Sequence, residues 1–187
     1  VDDANSEDGF DGLADQTVSV TTTDNDVAGF TIAQSGGSTS VAETGTTDTF
    51  TVVLNAQPTT DVVMSIASSD AGESTTTNTL TFTNANWNTP QTVTVTGVDD
   101  NIIDGTITST ITISIIDANS DNTFDAVADQ TVSATTTDND VAGFTIAQTD
   151  GSTSVAETGT TDTFTIVLNA QPASDVVLTI TSSDTGE

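Results

Sequence analysis

The sequence has no lysine, arginine, histidine, cysteine or tyrosine, and these absences exclude several kinds of chemistry. Without histidine, cysteine or lysine, the chain has no Ser-His-Asp triad, no thiolate nucleophile, no Schiff-base lysine and no zinc site of the ordinary type. Without a basic patch to neutralise phosphates, we expect no nucleic acid and no anionic membrane as a partner. A carboxylate pair of the glycosidase kind stays open. Such sites usually also need aromatic platforms, and the chain has one tryptophan, so we expect that it is not an enzyme.

Acid is the residue type in excess, with 28 Asp and Glu and a formal net charge of −28 in 187 residues. Such a charge raises the question of disorder. However, 34% of the residues are hydrophobic, and they recur in alternating β-branched runs such as residues 50–54 and 92–96, which carry no acid. The acids gather between these runs, which predicts a folded protein with acidic loops. No apolar run approaches the about 18 residues of a membrane helix, so we expect no membrane insertion in this segment.

An internal repeat organises the chain. The string DNDVAGFTIAQ at residues 24–34 returns unchanged at residues 138–148, an offset of 114 residues that also relates the start of the chain to residues 117–120. A unit of this length is ordinary for a domain. We predict one complete repeat at residues 27–140, the C-terminal part of a preceding repeat at 1–26 and the N-terminal part of a following repeat at 141–187. The segment is then expected to be a window on a longer array that begins and ends in mid-domain.

Alternation of apolar and polar residues, with turn signals between the runs, predicts strands throughout the complete repeat. The predicted strands are residues 29–33, 39–42, 47–54, 61–67, 79–83, 91–96, 106–116 and 130–137. No segment has a convincing helical period. Seven or eight strands in about 110 residues are typical of an immunoglobulin-like sandwich. The predicted fold class is therefore all-β, with immunoglobulin-like β-sandwich repeats of about seven strands in tandem. We interpret Trp87, beside a turn, as a plug at the end of the core rather than a ligand-stacking residue.

The string LTFTNANWNTPQTVTVTGVDD at residues 80–100, with TDND closing the repeat at 137–140, resembles Calx-beta repeats. That family occurs in sodium–calcium exchangers and, in tandem arrays, in large bacterial surface proteins and adhesins. The resemblance covers the whole repeat and implies a seven-stranded sandwich that binds calcium at one tip. Carried over onto this sequence, it implies metal ligands at Glu43, Asp70, Asp99, Asp100, Asp104, Asp138 and Asp140. Their counterparts in the flanking copies are Asp24, Asp26, Glu157 and Asp184.

The placement of these acids near predicted strand ends also suits calcium on physical grounds. Calcium takes about 6–8 oxygen ligands at about 2.3–2.6 Å, and strand ends that meet at one tip can supply them from distant segments. Without a cation such a cluster would be strongly repulsive, and the chain has no lysine or arginine to relieve it. A salt-adapted surface, the alternative, predicts acids scattered over exposed strand faces. We therefore expect Ca²⁺ as the cofactor.

A second candidate calcium site is the run Asp117, Asn119 and Asp121, with Asp125 four residues on. Its Asp-x-Asn-x-Asp spacing resembles the opening of an EF-hand loop, but the later glutamate and the flanking helices are missing. A copy of the run begins at Asp3. A calcium ion that staples the loop and a solvated acidic turn both fit this pattern, and both interpretations stay open.

Together these observations favour a calcium-binding structural repeat of an extracellular, adhesin-like stalk or fibre. Ca²⁺ would stiffen the domain tips and the junctions between neighbouring repeats, which are the expected partners. Calcium outside cells is plentiful enough for sites of about 10⁻⁴–10⁻³ M affinity, so we expect a secreted or cell-surface location. One alternative is a self-assembling filament subunit whose incomplete ends pair with neighbouring chains. The other is a calcium-dependent ligand-binding module, either lectin-like or ice-binding, and an ice binder should have a flat, ranked threonine face.

Overall fold

The computed structural model describes residue 2 and residues 4–184 and contains eleven strands in that range. The helical elements described there are three-residue 3₁₀ turns, and none is long or apolar enough to cross a membrane. The strands are β1 (Phe30–Gln34), β2 (Thr39–Ala42), β3 (Thr47–Leu54), β4 (Val62–Ser68), β5 (Ser74–Thr76), β6 (Thr79–Phe82), β7 (Gln91–Gly97), β8 (Ile107–Ile115), β9 (Gln130–Thr137), β10 (Phe144–Gln148) and β11 (Phe164–Leu168).

The first nine strands form an immunoglobulin-like sandwich of two sheets. One sheet has the strand order β1-β3-β7-β5, and the other has the order β2-β9-β8-β4-β6. Neighbouring strands in both sheets are antiparallel, except that β2 pairs with β9 in parallel. The predicted all-β sandwich class is therefore confirmed, with nine strands in the complete repeat rather than about seven.

Alternating burial along the strands builds the core between the two sheets. β4 buries Val62, Met64 and Ile66 and points the residues between them outward, and β7 does the same with Val93 and Val95. This is the period of two that a pleated strand imposes. The same core includes Phe50, Phe82 and Phe124, and Trp87 packs against it half-buried, as expected for a plug. Burial of these side chains is the main stabilising term for the fold.

The predicted strand boundaries agree with the structure to within one residue, and those of β2, β3 and β9 agree at both ends. Sequence reasoning missed β5 at Ser74–Thr76, which pairs with the end of β7. This strand is three polar residues long, so it has no hydrophobic alternation from which it could be predicted. Its pairing with β7 nevertheless fixes the chain immediately before it.

The flanking copies adopt only part of the repeat's structure. Residues 16–23 are exposed and form no strand, although their counterpart in the complete repeat is β9. β10 and β11 form a separate two-stranded hairpin, in which Phe144 pairs with Leu168 in the register of Phe30 with Leu54. The local pairing of the repeat is thus present twice, whereas the sandwich is described once.

Candidate metal centre

Three strand ends bring acidic residues to one tip of the sandwich. β2 ends directly before Glu43, β7 ends at Gly97 two residues before Asp99, and β9 ends directly before Asp138. Gly97 is necessary for this convergence, because a Cβ atom there would lie 2.1 Å from the main-chain oxygen of Ala42. The ends of β2 and β7 can approach so closely only because this residue has no side chain.

Glu43 lies at the centre of the tip. Its side chain is 1% exposed, and one of its carboxylate oxygens accepts a hydrogen bond from the main-chain N–H of Asn139 at 3.1 Å. Carboxylate oxygens of Glu43, Asp138 and Asp140 lie within 4.8 Å of one another. Three acids predicted from distant parts of the sequence are therefore brought together here.

A second group at the same tip includes Glu73, which sequence reasoning missed. Carboxylate oxygens of Glu73, Glu43 and Asp104 also lie within 4.8 Å of one another, so Glu43 belongs to both groups. Glu73 directly precedes β5 and is 6% exposed, and its main-chain oxygen accepts a hydrogen bond from the N–H of Val98 at 2.9 Å. The available signal was a second acid three residues after Asp70, in a loop already predicted to reach the tip.

Two carboxylate oxygens of the tip are buried and have no hydrogen-bond partner within the described part of the chain. They are Oε2 of Glu73 and Oδ2 of Asp140. A buried anionic oxygen without a partner is costly, because neither water nor a protein donor compensates its lost hydration. Since the chain contains no lysine, arginine or histidine, no cationic side chain can supply the missing interaction.

The pKa values of the tip acids express this cost. Burial, followed by the neighbouring charges of Asp104 and Glu43, raises the pKa of Glu73 to about 7. Burial also raises the pKa of Glu43, although the N–H of Asn139 opposes that shift. The pKa of Asp140 is raised as well, first by burial and then by adjacent acids. Without a cation, the cluster therefore resists full ionisation.

Asp138 differs from its neighbours because main-chain donors surround it. The N–H of Asp140 donates to its Oδ1 at 2.6 Å, and the N–H of Gly105 donates to its Oδ2 at 2.9 Å. These hydrogen bonds lower the pKa of Asp138, with that from Asp140 having the largest effect. Asp138 thus stays ionised and ties the loop after β7 to the acids after β9.

The remaining predicted ligands of the complete repeat lie close to these groups but outside them. Asp99 accepts a hydrogen bond from the side-chain amide of Asn139 at 2.8 Å. Asp100 is half-buried and accepts one from the N–H of Ile102 at 2.7 Å. Asp70 is exposed and accepts one from the N–H of Gly72 at 3.0 Å, so it caps its own turn.

The donor chemistry of the tip fits a hard divalent cation such as Ca²⁺. Five carboxylates, those of Glu43, Glu73, Asp104, Asp138 and Asp140, meet in two groups that share Glu43. Carboxylate oxygens are the preferred ligands of calcium, which tolerates irregular geometry. A cation in each group would compensate the buried oxygen that has no partner there. It would also oppose the burial cost and the repulsion that together raise the pKa values.

The counterparts of the tip acids in the flanking copies belong to neither group. Asp24 and Asp26 are exposed, and the N–H of Asp26 donates to the Asp24 carboxylate at 3.0 Å. Glu157 is exposed in the loop between β10 and β11. Asp184 is exposed, and its main-chain oxygen accepts a hydrogen bond from the hydroxyl of Ser182.

The second predicted site contains a carboxylate held by protein donors. Asp121 is buried, and its Oδ2 accepts hydrogen bonds from the N–H and hydroxyl of Thr59 at 2.6 and 2.7 Å and from the N–H of Thr60 at 3.0 Å. Its Oδ1 accepts from the N–H and hydroxyl of Thr123 at 2.9 and 2.7 Å. These bonds, led by those of Thr59 and Thr123, hold the pKa of Asp121 far below its usual range.

Asp117, Asn119 and Asp125, the other residues of this motif, are exposed. In the described part of the chain, the groups of acids close enough to share an ion lie at the tip and not in this loop. Threonines some 60 residues away in the sequence thus hold Asp121 where the spacing had suggested an ion. Asp3, which begins the copy of the motif, lies outside the described residues.

Comparison with known proteins gives similarity in structure but not in sequence. No protein-family model matches the chain, and no curated protein matches it in sequence. The apo form of the Calx CBD1 domain is 11% identical with a TM-score of 0.40, covering 59% of this chain and 98% of that one. Domains 1–6 of the surface layer protein SbsC are 21% identical with a TM-score of 0.42, covering 83% and 23%. The Escherichia coli chaperone DraB is 8% identical with a TM-score of 0.42, covering 62% and 59%.

The chain thus spans about a quarter of the SbsC structure and less than two thirds of the DraB structure. At these identities and TM-scores, the likeness carries no function over to this chain.

Proposed function

We propose that the tip cluster binds Ca²⁺ and that the protein is a non-catalytic structural repeat of an extracellular, adhesin-like stalk or fibre. The observation that carries the proposal is the pair of buried, unpartnered oxygens on Glu73 and Asp140, in a chain without a single basic side chain. The resemblance of residues 80–100 to Calx-beta repeats supports the choice of calcium among the hard cations. The ligands would be Glu43, Glu73 and Asp104 in one group and Glu43, Asp138 and Asp140 in the other.

The residues of the tip also suggest how binding would act on the array. When bound, calcium supplies positive charge that lets the buried carboxylates remain ionised together. Asp138 and Asp140 stand directly before residues 141–143, which lead into β10 of the next copy. Fixing these acids therefore restricts the junction between two repeats, and a series of restricted junctions makes a stiff rod. Such a role requires an environment rich in calcium, which favours a secreted or cell-surface location.

Thermal unfolding of the whole chain, in EDTA and then across a calcium titration, tests the metal site. Binding to the folded state alone stabilises it by about 2.7 kcal/mol when free calcium is about a hundred times Kd. We expect Glu43→Gln to abolish the rise in Tm and Glu157→Gln, its matched control in the following copy, to leave the rise unchanged. A Tm that is indifferent to calcium, or an effect lost equally in both variants, would contradict the proposal.

The stiffening role is a separate claim and needs a separate measurement. Small-angle scattering of the whole chain, with and without calcium, reports the distribution of its overall dimensions. We expect a narrower distribution with calcium, and Glu43→Gln should remove the difference. A calcium-bound chain with unchanged dimensions would leave a metal site but no stiffened junction.

One specific observation favours ice binding as a second candidate function. On the outer face of the first sheet, threonines of β3 and β7 face one another in three successive cross-strand pairs: Thr47 with Thr96, Thr49 with Thr94 and Thr51 with Thr92. All six side chains are exposed or half-buried. Threonine pairs are also ordinary on the solvent side of a sheet, where they contribute to its stability. The structural role therefore remains the first proposal.

Thermal hysteresis of the whole chain tests this second candidate. Hysteresis that disappears when Thr49 and Thr94 are both changed to tyrosine would support it. The same change at Thr112 and Thr131, a cross-strand pair on the other sheet, is the matched control. No hysteresis in the unchanged chain would exclude ice binding.

A further inference from the structure

The loop after β7, which carries Asp99, Asp100 and Asp104, also carries an apolar pair. Ile102 and Ile103 stand between Asp100 and Asp104, and they are 37% and 45% exposed. Two adjacent isoleucines among acids neither fill the sandwich core nor offer oxygen to a metal. Their chemistry is that of a contact surface, because exposed aliphatic pairs are stabilised when another surface covers them.

The structure places this pair against the following copy. Ile102 and Gln171 form a bridge between parallel chain segments, and the main-chain N–H of Gln171 donates to the main-chain oxygen of Asn101 at 2.6 Å. Ile103 helps to line an open pocket of about 170 Å³ with apolar residues of the following copy, among them Ala142, Phe144, Leu168, Pro172 and Val176.

At the other junction in the chain, the preceding segment also lies beside the base of the next copy. Asp24 and Asp26, the counterparts of Asp138 and Asp140, line a pocket of about 160 Å³ on the base of the complete repeat. Ala28, Ala56 and Gln57 belong to this surface, and they are the counterparts of Ala142, Ala170 and Gln171. At both junctions, residues that precede a copy thus line a pocket with the alanines of its base: Asp24 and Asp26 at the first junction, and Ile103 at the second.

We propose that residues 101–103 are a docking loop whose partner is the base of the following repeat, the surface formed by residues 142–144 and 168–176. One main-chain hydrogen bond sets the register, and Ile103 covers the apolar base. The proposal deepens the structural role proposed above by naming the contact between repeats. It does not depend on the metal, because the docking residues are apolar or main-chain groups.

Calcium would still influence the docking loop through its two ends. Asp100 and Asp104 flank the isoleucine pair, and Gly105 is tied to Asp138. A cation that holds Asp104 would restrict the loop and favour the docked geometry. Docking without metal and docking that is strengthened by metal are therefore separable observations.

Disulfide trapping tests the docking loop, and the absence of native cysteine makes the result unambiguous. Neighbouring strands lie about 4.7–4.9 Å apart, which is inside the range of about 4.4–6.8 Å between Cα atoms that a disulfide spans. We expect the double variant Ile102→Cys/Gln171→Cys to form an intramolecular disulfide in a glutathione buffer with EDTA. The matched control is Ile102→Cys/Gln57→Cys, which moves the second cysteine to the equivalent position at the other junction. Mass spectrometry of the monomer fraction measures both.

The expected result is that the first pair closes at least about tenfold faster than the control, because docking raises the effective concentration of the two thiols. Adding Ile103→Asp to the first pair should slow closure by about tenfold, and Trp87 fluorescence verifies that each variant is folded. Equal closure rates for the two pairs, or closure indifferent to Ile103→Asp, would overturn the docking loop. Faster disulfide closure in calcium would indicate that metal binding at the tip cluster strengthens the docking of this loop. Unchanged closure would leave the docking loop standing and count against calcium as a junction stiffener.

Discussion

The strand pair β1–β3 and the strand pair β10–β11 have nearly the same sequence and the same pairing register but opposite burial. Phe30 is 4% exposed and its counterpart Phe144 is 51% exposed. The segments that follow differ in the same way, because Met64 is fully buried and its counterpart Leu178 is 41% exposed. The β1–β3 pair is covered by the second sheet of its sandwich, and the other pair is not. Strand pairing is thus encoded locally, whereas burial depends on strands that are distant in sequence.

The same contrast applies to the candidate metal centre. Glu43 is almost completely buried among four other acids, and its counterpart Glu157 is exposed in a loop. The local sequence around the two residues is the same, from the preceding Val-Ala to the Thr-Gly-Thr-Thr-Asp-Thr that follows. What makes Glu43 a candidate ligand is the arrival of the ends of β7 and β9. The copy therefore provides a matched control for nearly every experiment on the complete repeat.

The largest effect should come from the core position that the two copies share. Met64→Ala removes a fully buried side chain, and such truncations cost about 2–5 kcal/mol. Leu178→Ala, its counterpart, should change the same transition by at most about 0.5 kcal/mol. Urea unfolding followed through Trp87, the one tryptophan, reports on the complete repeat. Similar losses in both variants would mean that the following copy is buried as deeply as the first.

The Asp121 loop should give the next largest effect. In Asp121→Asn, an amide nitrogen replaces one of the two carboxylate oxygens that accept hydrogen bonds from the threonines. The donors that bonded to this oxygen lose their acceptor, and leaving buried donors without partners costs about 1–3 kcal/mol. Glu7→Gln, at the exposed counterpart, should be neutral. The free energy of unfolding in urea, again followed through Trp87, measures both.

The pH dependence of the Asp121 contribution has a definite sign. Its pKa is lowered in the folded state. The stability it supplies is therefore present above the unfolded value of 3.8 and is lost as the pH falls below it. Asp121→Asn should therefore make the free energy of unfolding less dependent on pH in this acid range, which is the acid limb of the stability curve. An unchanged acid limb would mean that the threonine hydrogen bonds do not hold the carboxylate in solution.

Glu73 should show the opposite pH dependence in the calcium-free chain. Its folded pKa of about 7 lies above its ordinary value of 4.5, so its contribution to stability is greatest below pH 4.5 and is lost as the pH rises towards 7. The slope from one such group is at most about 1.4 kcal/mol per pH unit. Urea unfolding in EDTA across this range measures how the free energy of unfolding falls with pH. Glu73→Gln should make that fall shallower, and Glu157→Gln should leave it unchanged. A calcium-free chain whose stability rises with pH in this window would contradict the burial of Glu73.

Local pattern predicted the strands well because alternation, turn residues and strand length are properties of adjacent residues. It missed β5 for the same reason, since Ser74–Thr76 has no apolar residue and is a strand only through its pairing with β7. Glu73 was missed with it. Its main-chain oxygen accepts hydrogen bonds from the N–H of Val98 and from the hydroxyl of Thr136, and Thr136 lies more than 60 positions away in the sequence.

Acids near strand ends were predicted to converge, and for Glu43, Asp104, Asp138 and Asp140 the structure brings them together. The pattern could not separate these from Asp70, which lies in the right loop but caps its own turn. It was also insufficient for Asp121, where spacing alone resembles an ion-binding loop. Thr123, one of its donors, is local, but Thr59 and Thr60 come from the loop between β3 and β4, and no local rule connects the two segments.

The smallest effect should come from a turn whose glycine has the same left-handed conformation in both copies. Gly45 has φ +80° and its counterpart Gly159 has φ +85°, and each donates its N–H to the alanine three residues before it. Alanine in this left-handed region costs about 1–2 kcal/mol. Alanine also lowers the conformational entropy of the unfolded chain, which stabilises the folded state by about 0.4–1 kcal/mol. Gly45→Ala should therefore destabilise the complete repeat by about 1 kcal/mol or less, as measured by urea unfolding through Trp87. Gly159→Ala introduces the same strain outside the sandwich and should leave that transition unchanged. An equal loss from both would mean that the two copies unfold as one cooperative unit, so that the comparison between them describes one folded body rather than two.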